Sequence, residues 1–264
     1  MIAIIAASAH AAPQYSPVPR VGMMRSDCVR SIPTGTHVEE LASTIRLTYP
    51  NGTQFEYPHC EPTLDGAAML GGLPADYDGW EQYTAYKTED PKSFDVFTGY
   101  FSVPDVPAAV PQVLYLFTGL QNIDWIPKVD PEPSADFDII QPVLQYPAGD
   151  GQSGWAVRSW YVTLKAGALA SDPIAAQPGD VIFGNMTRTG PESWAVVSTS
   201  SQTGATTTQS ATNKRLVQQP WAYTTLECYG CNGCSTYPEK ACEFTKMALS
   251  GGGKVVTPTW QVNP

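Results

Sequence analysis

From Trp80 to the C-terminus, short runs either alternate between apolar and polar residues or stay apolar throughout. Val96-Phe97-Thr98-Gly99-Tyr100-Phe101-Ser102-Val103 alternates with period two, so one face of a strand meets a core and the other a polar surface. Residues 113–118 form a near-continuous apolar run, as expected of a strand covered on both faces. Residues 137–145, 155–164, 181–186, 194–199, 223–229 and 255–262 predict further strands. Turn clusters separate them: Pro178-Gly179-Asp180, Thr189-Gly190-Pro191 and Ser250-Gly251-Gly252-Gly253. The Ser/Thr/Gln-rich residues 198–212 read as a polar hairpin. Evenly spaced strands without helical periodicity predict an all-β protein, a two-sheet antiparallel β-sandwich over residues 76–264.

The chain before Trp80 is patterned differently. Residues 12–75 open Pro-rich (Pro13, Pro17, Pro19) and carry one predicted hairpin over residues 43–57, turning at Asn51-Gly52. A Gly-rich stretch from Gly66 to Gly72 separates this segment from the strands. Residues 1–11 resemble the end of a secretory signal, with an apolar run and small residues that allow cleavage after Ala9 or Ala11, but without a basic start. No other apolar stretch approaches the ~20 residues of a membrane span.

Composition narrows the function. Lys+Arg 15 against Asp+Glu 25 gives a net charge of −10, with no basic run, so nucleic acid and anionic membrane are poor partners. A monomer is expected. The 24 Pro and 22 Gly favour short strands and loops. Six cysteines in a chain expected to be secreted point to disulfides: Cys28 with Cys60, and two bridges among Cys228, Cys231, Cys234 and Cys242 in an order that spacing does not fix. A four-cysteine zinc site or an iron–sulfur cluster is the other reading of that late group. The acids Asp124, Asp130, Glu132, Asp136 and Asp138, interleaved with proline, read as a solvated loop rather than a Ca²⁺ site.

No histidine follows His59, so the sandwich has no imidazole for a Ser-His-Asp triad, a Cys-His pair or a His-rich zinc site. Any enzyme built on it must use carboxylates, amides, tyrosines or lysines. Two polar residues each close an apolar or β-prone run: Gln141 in Asp138-Ile139-Ile140-Gln141 and Glu227 in Trp221-Ala222-Tyr223-Thr224-Thr225-Leu226-Glu227. No predicted strand carries the paired carboxylates of a retaining glycosidase.

Residues 77–262 carry an ordered set of motifs. A tryptophan is followed by Phe101-Ser102-Val103-Pro104 and then by Phe117-Thr118-Gly119-Leu120-Gln121. Ile139-Ile140-Gln141, Ser159-Trp160-Tyr161, Gly179-Asp180 and Ala222-Tyr223-Thr224-Thr225-Leu226-Glu227 come next, with Pro238 and Phe244-Thr245 last. In this order the chain distantly resembles the eqolisins, the glutamic peptidases of concanavalin A-like fold. The resemblance implies a jelly-roll sandwich and a secreted endopeptidase without cofactor or metal, acting on protein or peptide substrates. Gln141 and Glu227 would be its catalytic pair, with Phe117, Gln121, Gln145 and Trp160 lining the substrate site. Glu227 would take a proton from the attacking water and return it to the leaving nitrogen. Gln141 would donate to the oxyanion. Cleavage is expected between about pH 3 and pH 6.

This sequence departs from the family where acids flank the pair, with Gln121, Gln145 and Ser159 in their places and Phe117 replacing a tryptophan. Those departures put strongly acid-dependent activity in doubt. They also motivate another class of function, a non-catalytic secreted sandwich that binds glycans through its 7 Trp and 13 Tyr or serves a structural role. The resemblance further suggests that residues 12–75 are a removable propeptide. The alternative is a permanent extension stapled by Cys28 and Cys60, and charge favours it, because both this segment and the body are acidic.

Overall fold

The computed structural model describes residues 14–60, 79–89, 92–110, 113–123, 136–149 and 153–263. The signal-like residues 1–11, the glycines from Gly66 to Gly72, and Asp124, Asp130 and Glu132 lie outside them.

Among the described residues, twenty strands follow in chain order. The N-terminal segment holds β1 (Tyr15–Val18), β2 (Gly22–Arg25), β3 (Val29–Ile32), β4 (Thr36–Glu40), β5 (Thr44–Thr48) and β6 (Gln54–Pro58). Then come β7 (Gly79–Lys87), β8 (Val96–Ser102), β9 (Val113–Gln121), β10 (Asp138–Tyr146), β11 (Trp155–Thr163), β12 (Gly167–Ser171) and β13 (Ile174–Ala176). The last are β14 (Val181–Gly190), β15 (Ser193–Ser200), β16 (Thr206–Thr212), β17 (Trp221–Tyr229), β18 (Phe244–Gly251), β19 (Lys254–Val256) and β20 (Gln261–Asn263).

They form two nine-stranded sheets and a small β1-β2 hairpin. The first sheet runs β20-β7-β17-β9-β10-β11-β12-β3, with β13 also paired to β11; the second runs β19-β18-β8-β14-β15-β16-β4-β5-β6. Pairing is antiparallel except at β12–β3 and β16–β4. The predicted all-β sandwich is therefore the observed architecture. Among the described residues no helix is long and apolar enough to cross a membrane.

Alternation explains the layers. Leu120, Ile140, Tyr161 and Leu169 of the first sheet pack with Phe97, Met186, Trp194 and Val196 of the second. Leu114, Leu116, Leu144 and Val157 pack with Phe101 and Ile182 at the other end of the same interface. The intervening residues of the first sheet, among them Tyr115, Phe117, Ile139, Val143 and Trp160, face the other way. They bury against Val18, Val21, Met24, Cys28 and Cys60 of the N-terminal segment. So β9 and β11 are buried along their whole length, whereas β8 and β15, open on one face, alternate strictly.

The N-terminal segment is built into both sheets. β3 pairs with β12, β4 pairs with β16, and the predicted hairpin, β5-β6, continues the second sheet. Cys28 and Cys60 are disulfide-bonded. Gly167 lets this bridge approach: its φ is +82°, and a Cβ there would stand 2.1 Å from the Cys28 carbonyl oxygen.

Three expectations change. Residues 255–262 are not one strand; β19 joins the second sheet and β20 the first, with Pro258, which has no N–H to donate, between them. The late cysteines form one bridge, Cys228–Cys231, rather than two. Gly230 at φ +70° turns the chain between those two and brings their Cα atoms to 6.0 Å. Cys234, exposed in the short 3₁₀ turn Cys234–Thr236, and Cys242, held beside Ser102, are thiols. Finally, Asp138 belongs to no solvated loop: it opens β10 fully buried and accepts a 2.8 Å hydrogen bond from Gln219. Burial pushes its carboxyl up to about 7.

Candidate active site under the N-terminal hairpin

β17, β9 and β10 are neighbours in the middle of the first sheet. Glu227 on β17 lies opposite Tyr115 on β9, and Val143 on β10 lies opposite Phe117 on β9. Because side chains two apart share a face, Glu227, Tyr115, Phe117, Gln121, Gln141 and Gln145 all point away from the second sheet. A register shift between Leu226 and Glu227 against β7 re-aims Glu227 at the end of its strand. Gly79, at φ +69°, makes room beside it: a Cβ there would lie 3.3 Å from the Tyr229 hydroxyl and 3.7 Å from Glu227 Oε1.

The β1-β2 hairpin lies over this face. Its strands pair from Tyr15↔Arg25 to Val18↔Gly22, leaving Pro19-Arg20-Val21 as the tip. The Arg20 backbone N–H donates to Glu227 Oε1 at 3.0 Å and to Oε2 at 2.7 Å. Gln141 Nε2 donates to the Pro19 carbonyl oxygen at 3.5 Å, a long contact. One peptide unit, Pro19–Arg20, is thus held by its carbonyl at Gln141 and by its N–H at Glu227. Tyr115 Oη donates to the Pro17 carbonyl at 2.9 Å and fixes the next stretch of the hairpin. The Tyr229 hydroxyl donates to Glu227 Oε1.

Both Gln141 and Glu227 are fully buried. Burial raises the Glu227 carboxyl to about 7, opposed by the hydrogen bonds from Tyr229 and the Arg20 backbone and by the Arg20 charge. Gln141 Oε1 has no hydrogen-bond partner among the described residues. The Arg20 side chain lies inward, with its guanidinium 4.1 Å from the Trp80 ring centroid and its Nε donating to Gln121 Oε1 at 2.6 Å.

The other residues expected at the site distribute around the pair. Phe117, fully buried, packs edge-on against Trp80 at 6.0 Å and forms the floor. Gln121 meets Arg20. Gln145 and Trp160 line a cavity of about 260 Å³ beside the hairpin, together with Ser16, Pro17, Tyr115 and Arg158. Ser159 faces the other way, into the space between the sheets, where its hydroxyl meets Ser198 at 3.0 Å. Trp80, Trp155, Trp160 and Trp194 are buried, so these tryptophans offer no surface for sugar stacking. Sequence reasoning missed Arg20 and Tyr229. Tyr229 carried a usable signal, since it stands two positions past Glu227 and so shares its face.

No protein-family model matches the sequence, and a comparison with curated proteins finds no match either. Among solved structures, the chain is similar to scytalido-glutamic peptidase bound to a transition state analog inhibitor, at 17% identity and TM-score 0.46, covering 68% of this chain and 84% of that one. It is also similar to SCP-B, a member of the eqolisin family of peptidases in complex with the tripeptide Ala-Ile-His, at 18% identity and TM-score 0.45, covering 70% and 86%. Lectin II from Ulex europaeus is similar at 11% identity and TM-score 0.34, covering 76% and 77%. Such values carry nothing about chemistry, which has to come from the site's own geometry.

Proposed function

We propose that the chain is an endopeptidase of glutamic type, with Gln141 and Glu227 as its catalytic pair and an activated water as nucleophile. The observation that carries this reading is the Pro19–Arg20 peptide unit, whose carbonyl oxygen meets the Gln141 amide and whose nitrogen meets the Glu227 carboxylate. A substrate peptide lying as the tip lies would present its carbonyl to an oxyanion donor and its leaving nitrogen to a proton donor. Glu227 as carboxylate takes a proton from water as the oxygen attacks the carbonyl carbon. Gln141 Nε2 donates to the oxygen as it gains charge. Glu227 then delivers the proton to the nitrogen as the C–N bond breaks, and leaves as carboxylate. Tyr229 holds Oε1 throughout.

The tip must leave before substrate enters, since it fills the place where a substrate peptide would lie. The rest of the N-terminal segment stays in this reading, because β3 and β4 are strands of the two sheets. Residues 12–75 are then a permanent part of the enzyme, with a displaceable tip. The general base works only when ionised, and a carboxyl held up to about 7 is mostly protonated in acid. That value belongs to the closed state: displacing the tip readmits water and relieves the burial that is the largest cause of the shift, so the base ionises at lower pH in the open enzyme and cleavage between about pH 3 and pH 6 is the expected range. Secretion fits the signal-like residues 1–11 and the Cys28–Cys60 bridge, and protein or peptide is the expected substrate. The test is cleavage of an unfolded protein by the wild-type chain and by Glu227→Gln. Loss of cleavage in a folded variant supports the reading, and retention at the wild-type rate refutes it.

A further inference from the structure

Arg20 occupies a pocket that it does not itself build. Its walls are Trp80 from β7, Tyr223 from β17 and Phe137 just before β10, with Gln121 at the end of β9. The guanidinium carbon stands 4.1 Å from the Trp80 centroid, 5.6 Å from Tyr223 and 5.9 Å from Phe137. Aromatic faces attract a cation, most strongly where water is excluded, and Arg20 is fully buried. Gln121 is oriented for the role: its Nε2 donates to the Ile123 carbonyl at 2.6 Å, which turns Oε1 toward Arg20 Nε. A side chain whose guanidinium carbon lies over an indole while its Nε donates to an amide oxygen uses the edge of a guanidinium; an ammonium is a point charge without that edge.

The Arg20 nitrogen faces Glu227, the group that would protonate the leaving amine. Arg20 therefore stands where the first residue after a substrate's scissile bond would stand. We infer that the pocket of Trp80, Phe137, Tyr223 and Gln121 is a guanidinium site that selects arginine immediately after the scissile bond, with Arg20 as its resident occupant. The position relative to a scissile bond depends on the peptidase reading; the affinity for guanidinium does not.

Two measurements on the full chain separate these. Arg20→Ala empties the pocket, and the variant is melted in the presence of ethylguanidinium or ethylammonium. The expected result is a rise in Tm that grows with the logarithm of cation concentration, fitted by an apparent Kd about tenfold lower for ethylguanidinium. Equal shifts with the two cations overturn the guanidinium site, whether or not the protein cleaves anything. Should Arg20→Ala not fold, the wild-type chain still answers through matched peptides that differ only in the residue after the cut. Glu227-dependent cleavage about tenfold faster before arginine than before lysine or citrulline supports the selection. Equal rates overturn it. Guanidinium-selective stabilisation without any cleavage would sustain the pocket while refuting the peptidase.

Discussion

The Arg20 backbone N–H and the Glu227 carboxylate, 207 positions apart in the chain, are joined by hydrogen bonds of 3.0 and 2.7 Å. Neither partner is at ease alone. Arg20 sits at φ +80°, a region that costs a non-glycine residue about 1–2 kcal/mol, and Glu227 is a carboxyl without solvent. Each supplies what the other lacks: the tip gives the carboxylate donors, and the carboxylate holds the tip in its unfavourable conformation.

Stability should fall as pH rises toward neutrality. Glu227 and Asp138 ionise at about 7 in the folded chain, against ordinary values of 4.5 and 3.8. Between those values the unfolded chain gives up protons that the folded chain keeps. Their contribution is complete below about pH 4, declines through pH 7 and is level above it, on the order of 3 kcal/mol for Glu227 and about 4 kcal/mol for Asp138. Thermal melts from pH 4 to pH 8 should show Tm falling, and Glu227→Gln should flatten much of the slope. A Tm that rises over this range would contradict the burial of these carboxyls.

Gly79→Ala should disturb the site directly. The substitution forces φ +69° on a residue with a Cβ and places that atom 3.3 Å from the Tyr229 hydroxyl. A loss of about 1–2 kcal/mol in denaturant melts is expected, with a weaker Tyr229–Glu227 contact and slower cleavage.

The Cys28–Cys60 bridge closes a loop with sequence separation 32. Replacing both cysteines by serine should cost about 3–4 kcal/mol of stability, measured by denaturant melts of the oxidised and substituted chains. The hairpin ends next to Cys28, so the same variant should expose the Pro19–Arg20 bond to added protease sooner.

Alkylation of the native chain without reductant should modify Cys234 and Cys242 and leave Cys28, Cys60, Cys228 and Cys231 untouched. Cys234 is exposed, whereas burial pushes the Cys242 thiol up to about 12, so Cys234 should react first. Peptide mapping that found Cys234 bonded to Cys242 would restore the two-bridge expectation for the late cluster.

The sandwich was legible where local pattern and environment agree. β8 alternates because only one of its faces meets the core, and the apolar run from Val113 marks a strand covered on both faces. The parallel pairings of β3 and β4 were not legible, because four- and five-residue strands carry no mark of a distant partner. Gln141 and Glu227 could be singled out as polar ends of apolar runs. Arg20 could not: it lies in a Pro-rich stretch without periodicity, and its burial depends on Trp80, Tyr223 and Gln121, each far along the chain. Local spacing encodes which face a side chain takes, not which distant segment will cover it.

Hydrolysis of peptide bonds by Glu227 and Gln141 is the proposed activity. The most direct measurement is mass-spectrometric cleavage mapping of an unfolded protein by the purified full chain, from pH 3 to pH 8, beside Glu227→Gln and Gln141→Ala. Cleavage that resists pepstatin, serine reagents and chelators, vanishes in Glu227→Gln and falls by about 10²–10³ in Gln141→Ala, with both variants folded, is the predicted result. Cleavage at equal rates in the wild type and Glu227→Gln, or none by the wild type at any pH, would contradict it.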